Sequence, residues 1–187
     1  MITHSELHKG IRIIIEGEPY EVLEARPLKK AQRRVVIQAK IKNLIGGSVF
    51  EKNFHQGDVF EEAEISKFQA KFIYSNKGKF VFSKTDNPSF RFELTQEQIG
   101  YSSQFLKANQ EVETFEFENK IIGVSLPIKI SLKITEAPPG VKGERAQPGT
   151  KLATLETGAK INVPLFVNEG DIIEINTETG EYSRRIE

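Results

Sequence analysis

Strand-length runs of apolar and β-branched residues, each stopped by a turn signal, set the tightest limit on what this chain can fold into. Ile11 to Glu16 leads through Gly17-Glu18-Pro19 into Tyr20 to Glu24, and Val35 to Lys42 leads through Gly46-Gly47 into Ser48 to Phe54. Lys71 to Tyr74 and Lys79 to Phe82 flank Asn76-Lys77-Gly78, and Glu111 to Phe117 and Ile121 to Ser125 flank Asn119-Lys120. Both pairs read as hairpins, because Asn and Gly accept the positive φ of a tight turn. Leu152 to Glu156, Lys160 to Val163, Ile172 to Asn176 and Glu181 to Arg185 follow, separated by Gly158, Gly170 and Gly180. Strands at this spacing fold as a sandwich or as small barrels. One helix is expected, opening at Thr95 as N-cap with Gln96, Glu97 and Gln98 in its first turn and kept short by Gly100. The acidic stretch Glu61-Glu62-Ala63-Glu64 and the Leu126-Pro127 break mark two joints, giving domains 1–64, 65–127 and 128–187.

A hydrophobic fraction of 38% with 13 Phe and no Trp is enough for such small cores. The absence of Cys excludes disulfides, thiol catalysis and thiolate metal sites. His4, His8 and His55 form no ligand cluster in sequence, so no metal and no cofactor are expected. The opening MITHSELHKG has no apolar stretch of signal-peptide length, and no run reaches a membrane span. The expectation is a soluble, cytoplasmic protein with no membrane partner.

Net charge is zero, with 26 basic and 26 acidic residues, so any nucleic-acid signal lies in where the charges fall. Ala25 to Phe50 holds no Asp or Glu, while Arg26, Lys29, Lys30, Arg33, Arg34, Lys40 and Lys42 supply seven positive charges. Five of the seven fall in ARPLKKAQRR, between two expected strands and with no apolar period to bury. Pro27 is expected to end the preceding strand. A hairpin presenting cations suits phosphate-lined grooves, where each contact releases counterions. The plain alternative is a solvated loop carrying a chance cluster of cations.

The stretch KLATLETGAKINVPLFVNEG, Lys151 to Gly170, is by itself a hairpin in a barrel. The arrangement of Lys151, Ala153, Gly158, Ile161, Val163, Pro164, Val167 and Gly170 resembles the signature of the bacterial elongation factor P family at every defining position. PGVKGERA at Pro139 to Ala146, GEYSRRIE at the C-terminus, HKGIRIIIEGEPYEVLE near the start and EKNF at Glu51 to Phe54 are also similar to the family. The resemblance spans essentially the whole chain. It implies an all-β fold of three small β-barrels in an L shape like tRNA: an SH3-like, KOW-type N-terminal barrel (1–64), then two OB-fold barrels (65–127 and 128–187). It implies a translation elongation factor rather than an enzyme, with no catalytic residues of its own. The implied partners are the ribosome, through rRNA of both subunits, and peptidyl-tRNA, prolyl-tRNA above all. The factor would sit as a monomer between the peptidyl-tRNA and exit sites and relieve polyproline stalling. Lys29, Lys30, Ala31, Gln32, Arg33 and Arg34 would contact the acceptor end of peptidyl-tRNA. Lys142, Gly143, Glu144, Arg145 and Lys151 would contact RNA from the C-terminal domain.

Two positions depart from the family. Many members carry a modified Lys or Arg at the loop tip, and an ungapped count from Pro19-Tyr20 to Glu51-Lys52 puts Gln32 there. A shift of one residue would put Arg33 there instead. Gln offers donors and an acceptor, so it can hydrogen-bond a tRNA end without modification; the alternative is an inert turn residue flanked by anchoring cations. Many relatives also have Gly-Asp-Thr where this chain has Gly143-Glu144-Arg145, in a loop associated with the exit-site codon. Arg145 offers a phosphate contact in place of a small hydroxyl. Two other identities fit the same residues, an elongation-factor-P-like paralogue and a general RNA-binding OB-fold protein. The general binder calls for diffuse basic faces and stacking aromatics rather than cations gathered at one hairpin.

Overall fold

In the computed structural model, residues 1–28, 36–139 and 149–186 are described, and nearly all of their regular structure is strand. The chain divides into two compact units, Met1–Phe68 with Thr114–Val124 and Gln69–Glu113 with Ser125–Glu187. In the first unit, β1 (Ile2–Thr3), β2 (Arg12–Ile15), β3 (Glu18–Leu28), β4 (Val36–Asn43), β5 (Val49–Phe54) and β6 (Val59–Phe60) follow in order. β2-β3-β4-β5 form an antiparallel sheet and β1 pairs with β6. Alternation along β4 sends Ile37, Ala39 and Ile41 inward onto Leu7, Ile13, Val22 and Phe54, and Gln38, Lys40 and Lys42 outward. Each buried Ile, Val or Phe of this kind contributes about 1.5–3 kcal/mol of transfer free energy. Buried Asn43 ends β4: its Oδ1 accepts from the Ile45 and Gly46 amides at 2.8 and 2.7 Å, which shapes the turn into β5.

The acidic stretch expected to be a joint is strapped to β2. The Ile14 amide donates to the Glu61 carbonyl at 2.9 Å and the Ala63 amide to the Arg12 carbonyl at 3.1 Å. Ala63 is buried against Phe117 and Ile122.

β7 (Ser66–Asn76), β8 (Lys79–Lys84), β9 (Arg91–Thr95), β10 (Glu111–Phe117) and β11 (Lys120–Ser125) make a sheet ordered β11-β10-β7-β8-β9. Lys77 and Gly78 turn β7 into β8 with φ of 50° and 77°. The β10–β11 turn is Glu118-Asn119, with φ of 49° and 62°, one residue earlier than the expected Asn119-Lys120. Two left-handed residues give the turn a twist matching its strands, and Asn is the one that tolerates it best. Phe82, fully buried, stacks on Phe92 at 5.4 Å and meets Phe72 at 5.5 Å. The expected helix is α1 (Gln96–Ile99), capped by Thr95 and ended by Gly100 at φ 78°, followed by a 3-10 turn at Tyr101–Phe105.

The last sheet has β12 (Lys129–Glu136), β13 (Thr150–Leu155), β14 (Lys160–Pro164), β15 (Ile172–Asn176) and β16 (Tyr182–Ile186), ordered β14-β13-β12-β15-β16. β14 and β16 approach each other and curl the sheet toward closure. Ile130, Leu132 and Ile134 of central β12 are buried with Ala153, Leu155, Ile161, Val163, Ile173 and Ile175. β9 and β12 are strands that the run-by-run reading above does not include.

Candidate nucleic-acid interface

β3 and β4 form the longest ladder of the first unit, paired from Tyr20↔Asn43 to Leu28↔Val36. Pro27 lies inside β3 opposite Ile37, so it does not end the strand. The reason is geometric: β2 pairs only with Glu18 to Glu21, so the far half of β3 has an open flank, where a missing N–H costs no ladder bond. The ladder therefore holds the two ends of the basic stretch side by side. Lys29, Lys30, Ala31, Gln32, Arg33 and Arg34 lie outside the described residues.

The cations on the strands have acidic neighbours supplied by the adjacent strands. The Arg26 Nε donates to Gln38 at 3.1 Å, Gln38 donates to Glu51 at 3.1 Å, and the Arg26 guanidinium lies 3.9 Å from Glu51. Lys40 stands in register between Glu24 and Glu51, and Lys42 opposite Glu21. A segment free of acid in sequence is thus bordered by acid in space. The period-2 alternation of three paired strands produces this, and no single-segment charge count contains it.

Of the C-terminal residues expected to touch RNA, Lys142, Gly143, Glu144 and Arg145 lie outside the described residues. Lys151 is half-buried on β13, opposite Val163 and sharing the strand face of buried Ala153 and Leu155. The opposite face of β13 and β14 carries Leu152 and Asn162 paired across the strands, residues the sequence reading passed over. The alternation along β13 was the signal that could have separated these two faces. Nearby, the Lys107 ammonium donates to the Ser131 carbonyl at 2.8 Å and lies 3.5 Å from Glu156, so this cation is committed within the fold. Among the described residues no group of three or more His, Cys, Asp or Glu could hold a metal ion, and no helix is long and apolar enough to cross a membrane.

Small antiparallel sheets, with β3 and β4 paired along their length in the first unit, make up the described fold. A solved archaeal structure titled "Eukaryotic translation initiation factor 5A from Methanococcus jannaschii" shares the fold at TM-score 0.51 and 16% identity, over 66% of this chain and 92% of that one. Residues 3–60 match the family described as "Elongation factor P (EF-P) KOW-like domain", and residues 130–185 match "Elongation factor P, C-terminal". Among relatives named "Elongation factor P", that of Syntrophus aciditrophicus is 38% identical over 187 residues, covering 100% of this chain and 99% of the relative. Those of Symbiobacterium thermophilum (38%; 99% of this chain, 100% of the relative) and Carboxydothermus hydrogenoformans (35%; 100% of each) match over 186 residues each. The chain belongs to the elongation factor P family and is a translation factor.

Proposed function

We propose that this factor binds the ribosome between the peptidyl-tRNA and exit sites and speeds peptide-bond formation at consecutive prolines. The observation that carries the reading is the β3–β4 ladder, which brings together Leu28 and Val36, the described residues on either side of 29–35. Lys29, Lys30, Arg33 and Arg34 hold phosphates, and Gln32 hydrogen-bonds the acceptor end of peptidyl-tRNA without a covalent extension. The factor acts by positioning and the ribosome performs the chemistry. Proline is a poor partner in that reaction, with its fixed φ, and the gain comes from holding two substrates near attack geometry. In the C-terminal barrel, Lys142, Gly143, Glu144, Arg145 and Lys151 contact RNA, with Arg145 binding phosphate. The reading keeps three barrels, 1–64, 65–127 and 128–187, in one monomer that works in the cytoplasm and is not an enzyme.

The test is a reconstituted translation system reading a run of prolines. Wild type should accelerate synthesis through the run, and the variant K29A/K30A/R33A/R34A should lose the effect. Unchanged rescue by that variant would show that the loop is not the working end. RNA binding without any acceleration by wild type would favour a general RNA-binding protein. Intact-mass measurement of protein from its own organism should give the unmodified mass; an adduct mapped to residues 29–34 would overturn the role given to bare Gln32.

A further inference from the structure

The C-terminal barrel carries a second surface with the chemistry of a nucleobase site. The outward face of β13 and β14 sets Leu152 opposite Asn162 and Thr154 opposite Lys160. Beside this face lies a cleft of about 490 Å³, lined by Leu152, Lys160 and Asn162 from the strands, Thr179 from the β15–β16 turn, and the tyrosines Tyr101 and Tyr182. Tyr101 is 57% exposed and braced edge-on by Phe105 at 5.6 Å. Tyr182 is braced edge-on by Phe166 at 6.4 Å, and the Arg185 guanidinium lies 5.8 Å from the Phe166 ring.

In OB-fold barrels generally, the second and third strands and the loop joining the fourth and fifth form the nucleic-acid surface. In this barrel those elements are β13, β14 and the β15–β16 turn, which line the cleft. The lining also says which part of a nucleotide fits. Lys160 and Glu181 are its charged residues and they offset, so the interior offers a phosphate little attraction. Two supported aromatic rings and the Asn162 amide, with its donors and acceptor, suit a flat, neutral, hydrogen-bonding ring. Lys160 suits a flanking phosphate, while Arg185 is paired with Asp171 at 3.6 Å. The volume lies within the range of ligand clefts and admits a nucleotide.

We propose that this cleft takes up an unpaired base of single-stranded RNA, stacked on Tyr101 or Tyr182 and hydrogen-bonded by Asn162. The inference rests on the RNA-facing reading above only in that its ligand is RNA. The chain has four Tyr and no Trp, so stacking is read directly as quenching of tyrosine emission. The full chain would be titrated with hexauridylate and with a blunt RNA duplex. Wild type should bind the hexamer with quenching. Tyr182→Ala and Asn162→Ala should each weaken hexamer binding, Tyr182→Ala by about fivefold to 150-fold, the range for removing a stacking aromatic. Duplex binding should stay within about twofold, since a duplex offers no splayed base. Thermal melting checks folding, and exposed Asn162→Ala carries the test if Tyr182→Ala melts early. Hexamer binding by the folded variants equal to wild type overturns the proposal. So does a wild type that shows no saturable hexamer binding, whatever the proline assay returns. A protein that binds the hexamer through the cleft and fails the proline assay sinks the proposed function and leaves the cleft standing.

Discussion

Glu174 places its carboxylate, on a side chain only 12% exposed, 3.1 Å from Arg184 and 3.2 Å from Lys129. The hydrogen bond from Arg184 holds its pKa below the ordinary 4.5; burial opposes this and Lys129 adds to the lowering. A carboxyl depressed in the folded state stabilises above its unfolded pKa, and that stabilisation is lost as pH falls through the folded value. The melting-temperature gap between wild type and Glu174→Gln should therefore be full near pH 7 and close as the pH falls below the ordinary 4.5. A gap that stays constant across that range would remove this residue from the acid response. Gly180 is a second position where one atom matters. It has φ 73°, and the Tyr101 hydroxyl occupies the space a β-carbon would take. Gly180→Ala should cost about 1 kcal/mol or more in chemical denaturation through backbone strain, and it should displace the Tyr101 ring. The residues that carry the family resemblance behave in the same structural way. Ala153, Ile161, Val163 and Val167 are buried, and Gly158 and Gly170 hold left-handed turns. They identify the family because they build its barrel, and for that reason they say little about what the barrel touches.

Among the elements, the capped turn at Thr95 was the most legible from sequence. The Gln98 amide donates to Thr95 Oγ1 at 3.4 Å and the Thr95 amide donates to Gln98 Oε1 at 3.0 Å. Thr95→Ala should lose about 1 kcal/mol of stability, measurable by urea denaturation, while Thr95→Ser should keep most of it. The hairpins at Lys77-Gly78 and Gly158 were equally plain, because Gly at a positive-φ position leaves a signature within two or three residues. β12 was missed although its signal was present, since Ile130, Leu132 and Ile134 alternate cleanly with polar residues. Pro27 was not legible, because whether proline ends a strand depends on the partner that strand has on each side, and β2 stops too early to need its N–H. The acids facing Arg26, Lys40 and Lys42 were hidden for the same reason, as they arrive from β3 and β5 through register. Local chemistry showed where the chain turns, and only pairing showed what each turn brings together.

At the scale of the whole molecule, a net charge of zero means that attraction to RNA is a matter of placement. Ribosome binding should fall with salt, and K29A/K30A/R33A/R34A should flatten the logarithmic slope by about 3. K40A/K42A should flatten it much less, because Glu21, Glu24 and Glu51 already stand beside those two lysines. Equal effects of the two variants would mean that the strands, too, meet phosphate. The ladder from Tyr20↔Asn43 to Leu28↔Val36 has a further consequence, for how such a protein can change over time. Its inward side chains pack on Leu7, Ile13, Val22 and Phe54, and its cations face acids on β3 and β5. A substitution on the ladder is therefore tested first against the packing of the barrel. A handle held in this way keeps its pattern whichever partner the protein meets.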